Sequence, residues 1–335
     1  MKPSVRLLVT VDTESDAWTP SRAPARCDNL RQIPRFDSFL QRLGLRATYL
    51  LTWRAANDAW ASDMLSELSR SGRAALGSHL HPWSCPPYDE PFLLGNTMCS
   101  NLPEDLQVRK LQMLTDRVAT LRGTAPVSFR AGRWGFGPST ARALIRCGYR
   151  VDSSVTPWIS WAEFQGPSFI GAPNGIYRIR AGADVLRADR DGELVEVPLT
   201  VGYTRRPFAY LNRLRQTLTA SPLRSLRLAG VAWKLGLMRR VALTPEENSV
   251  DDLVAVSRHM LDLGLDHLNL ALHSQSLSPG IVPVVRDDRE VDRLYERIER
   301  YVERLSAYVD LESATLDEMA GPRASQAASA AVVTG

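Results

Sequence analysis

Two of the five histidines in this 335-residue chain stand two residues apart, in Gly77-Ser78-His79-Leu80-His81-Pro82-Trp83. In an extended segment, residues i and i+2 point to the same side, so both imidazoles can address one point, as a metal ion requires. Two carboxylates repeat this spacing in Asp12-Thr13-Glu14, directly after the apolar run Leu7-Leu8-Val9-Thr10-Val11. Like charges held together are costly unless something positive neutralises them, so a turn-forming role explains one of these acids and not both. His273 closes a further apolar run, and Arg130 opens the glycine-rich turn Ala131-Gly132-Arg133-Trp134-Gly135-Phe136-Gly137. Two imidazoles and a carboxylate with open positions form the ligand set of a catalytic zinc. Such an ion lowers the pKa of water towards about 7 and polarises a carbonyl. The inventory for hydrolysis is then a metal, a carboxylate base, a histidine acid and a cation to orient the base.

The elements that must position these residues alternate along the chain. Strands are expected at Leu7–Val11, Ala47–Thr52, the run ending at the histidine pair, Val127–Arg130, Arg150–Ser153 and His267–Ser274. Helices are expected around Phe36–Leu43, Ala59–Ser71, Pro103–Arg122, Pro138–Cys147, Asp251–Leu263 and Asp287–Tyr308, where apolar residues recur at helical spacing. So many βα units predict a barrel or a doubly wound sheet, whose ligands sit at the carboxyl ends of the strands. Every candidate above ends a strand. An iron oxygenase would use a similar ligand set, but alternation of strand and helix argues against its all-β scaffold. Residues 159–250 read as an insertion on the same domain: short strands first, including Glu193–Leu199 at a sheet edge, then a basic helical stretch. His259 falls on the apolar face of its helix, as a core or interface residue does.

Composition fits a globular enzyme, with 44% hydrophobic and 23% charged residues and a net charge of +4. The positive charges cluster: Thr204 to Arg240 holds Arg205, Arg206, Arg213, Arg215, Arg224, Arg227, Lys234, Arg239 and Arg240 and no acid. This is either a solvated helical cover or a surface for anionic lipid and lipid-linked phosphate. Four scattered cysteines form no Cys-x-x-Cys pair. Cys85 is near enough in sequence to be a fourth ligand, though a reduced structural thiol is the plainer reading. The N-terminus has no signal-like apolar run, which gives a cytoplasmic expectation with peripheral contact at the inner membrane face through residues 204–240. The alanine- and serine-rich tail, residues 321–335, is expected to be disordered.

Five segments in order resemble the successive motifs of the polysaccharide deacetylases (carbohydrate esterase family 4). They are Val9–Glu14, Gly77–His79, Phe129–Gly135, Tyr149–Ser154 and Leu270–Ser274. The resemblance spans roughly residues 5–310 and implies an irregular (β/α) barrel, one catalytic domain over residues 1–320. It also implies a divalent metal, zinc first, and removal of acyl groups from glycans. Carried over by position, Asp12 is the base, Glu14 and His79 are metal ligands, Arg130 orients the base, Asp152 is a catalytic residue that supports the charge network and His273 is the acid. Two positions depart from the pattern. Thr13 separates the acids, and Trp83 occupies the place of the second metal histidine, which leaves His81 as the replacement. Trp83, Trp134 and Arg133 are the candidate substrate contacts. The expected partner is a glycan or a lipid- or nucleotide-linked amino sugar, with no nucleic acid. A glycan-binding protein without activity is the alternative, should His81 fail to reach.

Overall fold

The computed structural model describes residues 2–220, 230 and 236–321. Its centre is β1 (Ser4–Thr13), whose apolar residues are buried on both faces because neighbouring strands and covering helices leave neither side to water. The chain then alternates through α1 (Ile33–Arg42), β2 (Ala47–Leu51), α2 (Trp53–Asn57), α3 (Ala59–Arg70), β3 (Ala74–Leu80), α4 (Glu104–Arg122), β4 (Ser128–Ala131), α5 (Pro138–Arg146) and β5 (Val151–Asp152). Short strands β6 (Tyr177–Ile179), β7 (Leu194–Glu196) and β8 (Val201–Tyr203) lead to α6 (Phe208–Thr219) and β9 (Arg240–Ala242). The remainder is α7 (Val250–Asp262), β10 (His267–His273), α8 (Asp288–Ser306) and β11 (Asp310–Ala314).

The main sheet runs β10-β1-β2-β3-β4-β5-β7-β6, with β11 also on β1. Its pairings are parallel except β6–β7. It curls into the half-barrel of an irregular (β/α) barrel, as the sequence predicts. Register places Asp12 opposite His273, His79 opposite Arg130, and Asp152 opposite Glu196. Thus the candidate residues converge because hydrogen-bonded ladders align the strand ends.

Helix ends follow local chemistry. Gly123 takes the left-handed conformation (φ 77°) that closes α4, while Ser249 and Asp287 side chains accept the first free N–H groups of α7 and α8. The long helix α8 buries Val291, Leu294, Tyr295, Ile298, Tyr301, Val302 and Leu305 against the barrel, a stripe at helical spacing.

Two expectations change. The stretch read as an insertion supplies β6 and β7 to the main sheet itself, and β7 is an interior strand with β6 at the edge. Only β8 and β9, with α6 between them, form a separate small sheet. The alternation of glycine and proline in that region marks short strands, not their membership of a sheet. Of the basic stretch, α6 is described, whereas Arg224, Arg227 and Lys234 lie outside the described residues, as do residues 322–335 of the tail. Among the described residues, no helix is long and apolar enough to cross a membrane.

Candidate metal centre and active site

Glu14, His79 and His81 bring one carboxylate oxygen and two ring nitrogens together. Glu14 Oε1 lies 3.3 Å from His79 Nε2 and 3.4 Å from His81 Nε2. A charge-assisted hydrogen bond would be shorter, about 2.7–2.9 Å. Tetrahedral coordination at about 2.0–2.1 Å per bond, however, sets neighbouring donor atoms roughly 3.3–3.4 Å apart. The donor set therefore fits a divalent metal better than it fits a set of mutual hydrogen bonds. His79 Nδ1 donates to the Arg130 carbonyl at 3.0 Å, which turns the Nε2 lone pair towards the centre.

His81 bends into the site from the residue after β3. Its ring stacks on Trp83, with centroids 4.2 Å apart and planes at 26°. Gly132 makes this possible: a Cβ there would meet His81 Cδ2 at 2.4 Å and the Leu80 carbonyl at 2.6 Å. Burial, and His79 beside it, hold His81 below its ordinary pKa, so it is neutral and able to ligate. For His79 burial acts in the same direction, but Asp12 and Glu14 outweigh it and raise the pKa.

Asp12 lies 4.0 Å from His79 Nε2 through Oδ2, while its Oδ1 accepts from Arg130 Nη1 at 2.7 Å. Arg130 is fully buried and anchored on all sides. Its Nε donates to the Ser153 carbonyl at 2.8 Å, and Nη2 donates to Thr10 Oγ1 at 2.8 Å and Ser153 Oγ at 3.0 Å. Asn269 holds that hydroxyl in turn, donating from Nδ2 to Ser153 Oγ at 3.0 Å. Burial would push the Asp12 carboxyl up, yet the Arg130 guanidinium, with His79 and His273, keeps it below the usual range. Asp12 is therefore ionised.

His273 faces the same space from β10. Glu246 accepts from its backbone N–H at 2.9 Å and lies 3.3 Å from Nδ1, which leaves Nε2 for the pocket. Burial disfavours the imidazolium, but Glu246, then Glu14 and Asp12, push the pKa up to about 10. The ring is thus a proton donor near neutrality. Trp18 packs edge-on against it at 5.4 Å.

A pocket of about 280 Å³ joins these groups, lined by Asp12, Glu14, His79, His81 and His273 with Trp18, Trp83, Arg133 and Trp134 among its walls. Three sequence candidates, Arg130, Asp152 and Cys85, do not line it. Arg130 acts only through Asp12. Asp152, read as catalytic, is fully buried below the pocket; its carboxylate accepts from Ser154 N (3.1 Å) and Oγ (2.6 Å) and abuts Glu196. Two adjoining buried acids cannot both ionise cheaply, and Glu196 is raised well above the usual carboxylate range by burial and by Asp152. Asp152 is correspondingly a support for the turn that follows β5, tied to the end of β4 through Ser154 Oγ accepting from Ala131 N at 2.8 Å. Cys85 does not line the pocket; it is buried, its thiol pushed up to about 12. His259 packs near Phe208.

The sequence reading missed Glu246, Glu196, Thr10, Asn269 and Trp18. Thr10 and Asn269 carried a faint signal, as polar residues inside otherwise apolar strands. Glu246, in a loop with a neighbouring Glu247, carried none.

No family model and no curated protein matches the sequence. Solved structures do match its backbone. A candidate polysaccharide deacetylase from Mycobacterium smegmatis aligns over 100% of this chain and 94% of its own, with a TM-score of 0.56 at 17% identity. This is the polysaccharide deacetylase fold. The same polysaccharide deacetylase fold relates the chain to a candidate glycoside hydrolase/deacetylase from Parabacteroides distasonis, over 95% of this chain and 70% of the other, with a TM-score of 0.59 at 12% identity. It also relates it to the allantoinase Puue, over 94% and 88%, with a TM-score of 0.51 at 12% identity. Identities this low speak for the fold alone, so what this polysaccharide deacetylase fold does here rests on its own side chains.

Proposed function

We propose that the chain is a metal-dependent hydrolase that removes an N-acetyl or other acyl group from an amino sugar in a glycan or glycan precursor. The observation that carries this reading is the position of Glu14 Oε1, at 3.3 and 3.4 Å from two imidazole nitrogens, between Asp12 and His273. Glu14, His79 and His81 would hold the ion, zinc by the chemistry of the donors. When bound, such a cation supplies Lewis acidity to the amide carbonyl and acidifies a water molecule.

The side chains of the chain do the rest. Asp12, ionised and fixed by Arg130, accepts the proton of the attacking water. His273, protonated and oriented by Glu246, gives a proton from Nε2 to the departing amine nitrogen. The tryptophans at the pocket walls suit the apolar faces of sugar rings. A binding protein without activity was suggested by Trp83 standing at a ligand position. Trp83 instead supports His81 from behind, which favours the hydrolase. We place the enzyme in the cytoplasm, working on a precursor at or near the membrane, with the basic stretch 204–240 as the contact surface.

The test is acetate release from N-acetylhexosamine oligosaccharides and their nucleotide- or lipid-linked precursors by zinc-loaded protein, with allantoin as the control for the other chemistry known on this fold. Asp12→Asn should reduce release by a factor of about 10² to 10⁴. Undiminished release removes Asp12 as the base, and turnover of allantoin alone redirects the reading to a small-molecule amidase.

A further inference from the structure

Each charged group at the centre has a partner, save one. Asp12 has Arg130, Glu14 has the histidine pair, and His273 has Glu246. Arg133 lines the same pocket, and among the described residues no carboxylate lies within ion-pair distance of it and no acceptor within hydrogen-bond distance. Its Nε is buried without an acceptor. Burial lowers its proton affinity with no acid to offset the effect, although a guanidinium remains charged throughout the ordinary pH range.

Its placement is built, not incidental. Arg133 (φ 54°) and Trp134 (φ 60°) are consecutive non-glycine residues in the left-handed region, which costs energy and persists only where the surroundings enforce it. Enforcement is visible on both sides. Gly132 admits the His81 ring, and Gly135 packs so closely on Met98 and Cys99 that a Cβ would lie 2.7 Å from the Cys99 nitrogen. The Arg133 guanidinium lies over the Phe164 ring at 5.6 Å, and Trp134 stacks on Trp161 at 6.3 Å and 17°. A strained turn thus presents one unpaired, half-desolvated cation and one aromatic face to the reaction pocket.

We propose that Arg133 recognises an anionic substituent of the substrate, a carboxylate or a phosphate, while the acylated amine of the same sugar lies at the metal centre. The proposal deepens the hydrolase reading and rests on it for the identity of the reacting group. A planar guanidinium with free N–H donors pairs two oxygens of either anion at once. The occupant would supply the acceptor that Nε lacks. The substrate class is then an acidic N-acylated amino sugar, a hexosaminuronate or a sugar phosphate.

Binding is measured by calorimetry on zinc-loaded full-length protein with three probes: N-acetylglucosamine, N-acetylglucosamine 1-phosphate and N-acetylglucosaminuronic acid. Wild type should bind at least one anionic probe about tenfold or more tighter than the neutral one. In Arg133→Gln this ratio should fall to about one, and Arg133→Lys should retain part of it. The probe whose advantage disappears identifies phosphate or carboxylate as the source. A ratio near one in wild type, undetectable binding of every probe, or a ratio that survives Arg133→Gln overturns the proposal; survival would place the anion on the metal. Zinc content and the melting transition of each variant report whether the turn still folds, and Arg133→Lys serves should the glutamine variant fail to fold. Absence of acyl hydrolysis with all three sugars would sink the hydrolase reading and leave the binding ratio to decide Arg133.

Discussion

Two buried polar clusters lie along one stretch of chain, residues 79–90, and they are neutralised in different ways. In the later one, the fully buried Lys110 of α4 donates to the carbonyls of Pro82 (2.9 Å), Cys85 (2.8 Å) and Pro87 (2.5 Å) and lies 3.1 Å from Glu90 Oε2. Three N–H groups meet three carbonyls, and Glu90 faces the ammonium and, at 2.9 Å, Arg22, so the lysine has no donor left to offer. In the earlier one, His79, His81 and Glu14 face one another at separations too long for strong hydrogen bonds and suited to a shared metal. One cluster is closed by a cation of the chain; the other is arranged for a cation from outside. Burial of polar groups alone does not mark a functional site. Donors that converge without satisfying each other do.

The largest effect expected from this contrast is at the open cluster. His81→Ala should take bound zinc from about one per chain to none and acyl hydrolysis to background, with little change in the unfolding midpoint of the metal-free protein. Elemental analysis beside acetate release reads this out. Stoichiometric zinc in that variant would break the comparison, because His81 would then be as structural as Lys110. The closed cluster should behave in the opposite sense. Lys110→Met leaves three buried loop carbonyls without a donor and Glu90 with Arg22 as its remaining cation, and should cost about 3–5 kcal/mol in urea unfolding. Its effect on zinc affinity should be about tenfold, through the loop that carries Trp83. A loss under about 1 kcal/mol, the worth of a surface pair, would mean that the ammonium is solvated after all.

A third cluster sharpens the contrast, because there the neutralising cation is a proton. Glu196 and Asp152 share it, and the pair titrates as a unit. With Glu196 raised above its unfolded value of about 4.3, the folded chain binds more protons than the unfolded one at higher pH. The stability it contributes is fully present below that value and is lost as pH rises towards the folded pKa. Glu196→Gln keeps the hydrogen-bonding shape without the titration. It should flatten the decline of stability with pH and gain on the order of 1 kcal/mol at pH 8, with no gain at pH 4. An unchanged pH slope in denaturant unfolding would place the shared proton elsewhere.

Much of the site was legible because it follows strand ends. The i, i+2 spacing of Asp12 with Glu14 and of His79 with His81 survives into the structure, and His273 arrives opposite Asp12 as its strand position implies. What was illegible depends on contacts between distant segments. Lys110 sits in an amphipathic helix and looks like any solvated lysine until three carbonyls of the loop at 82–87 close on it. Glu246 belongs to no strand or helix and gains its role from His273 of β10 and from the Ser276 hydroxyl just beyond it. Asp152 carried the right motif, but Glu196, on a strand assigned to the sheet edge, changes what the acid can do. Local pattern reveals which residues face one another within an element; it is silent about which loop will be folded over them.

The pairing of β1 with β10 has a consequence for how such a protein changes over time. Asp12 and His273 are 261 positions apart in sequence and directly opposite in the ladder, and His79 and Arg130 are matched in the same way. Their spacing is held by main-chain hydrogen bonds that any residue except proline can make. Core and surface substitutions can therefore accumulate for as long as the ladders stay in register, without moving these groups relative to one another. A shared fold of this kind can persist in the backbone where the letters hardly show it, as solved structures of the same fold at 12–17% identity illustrate.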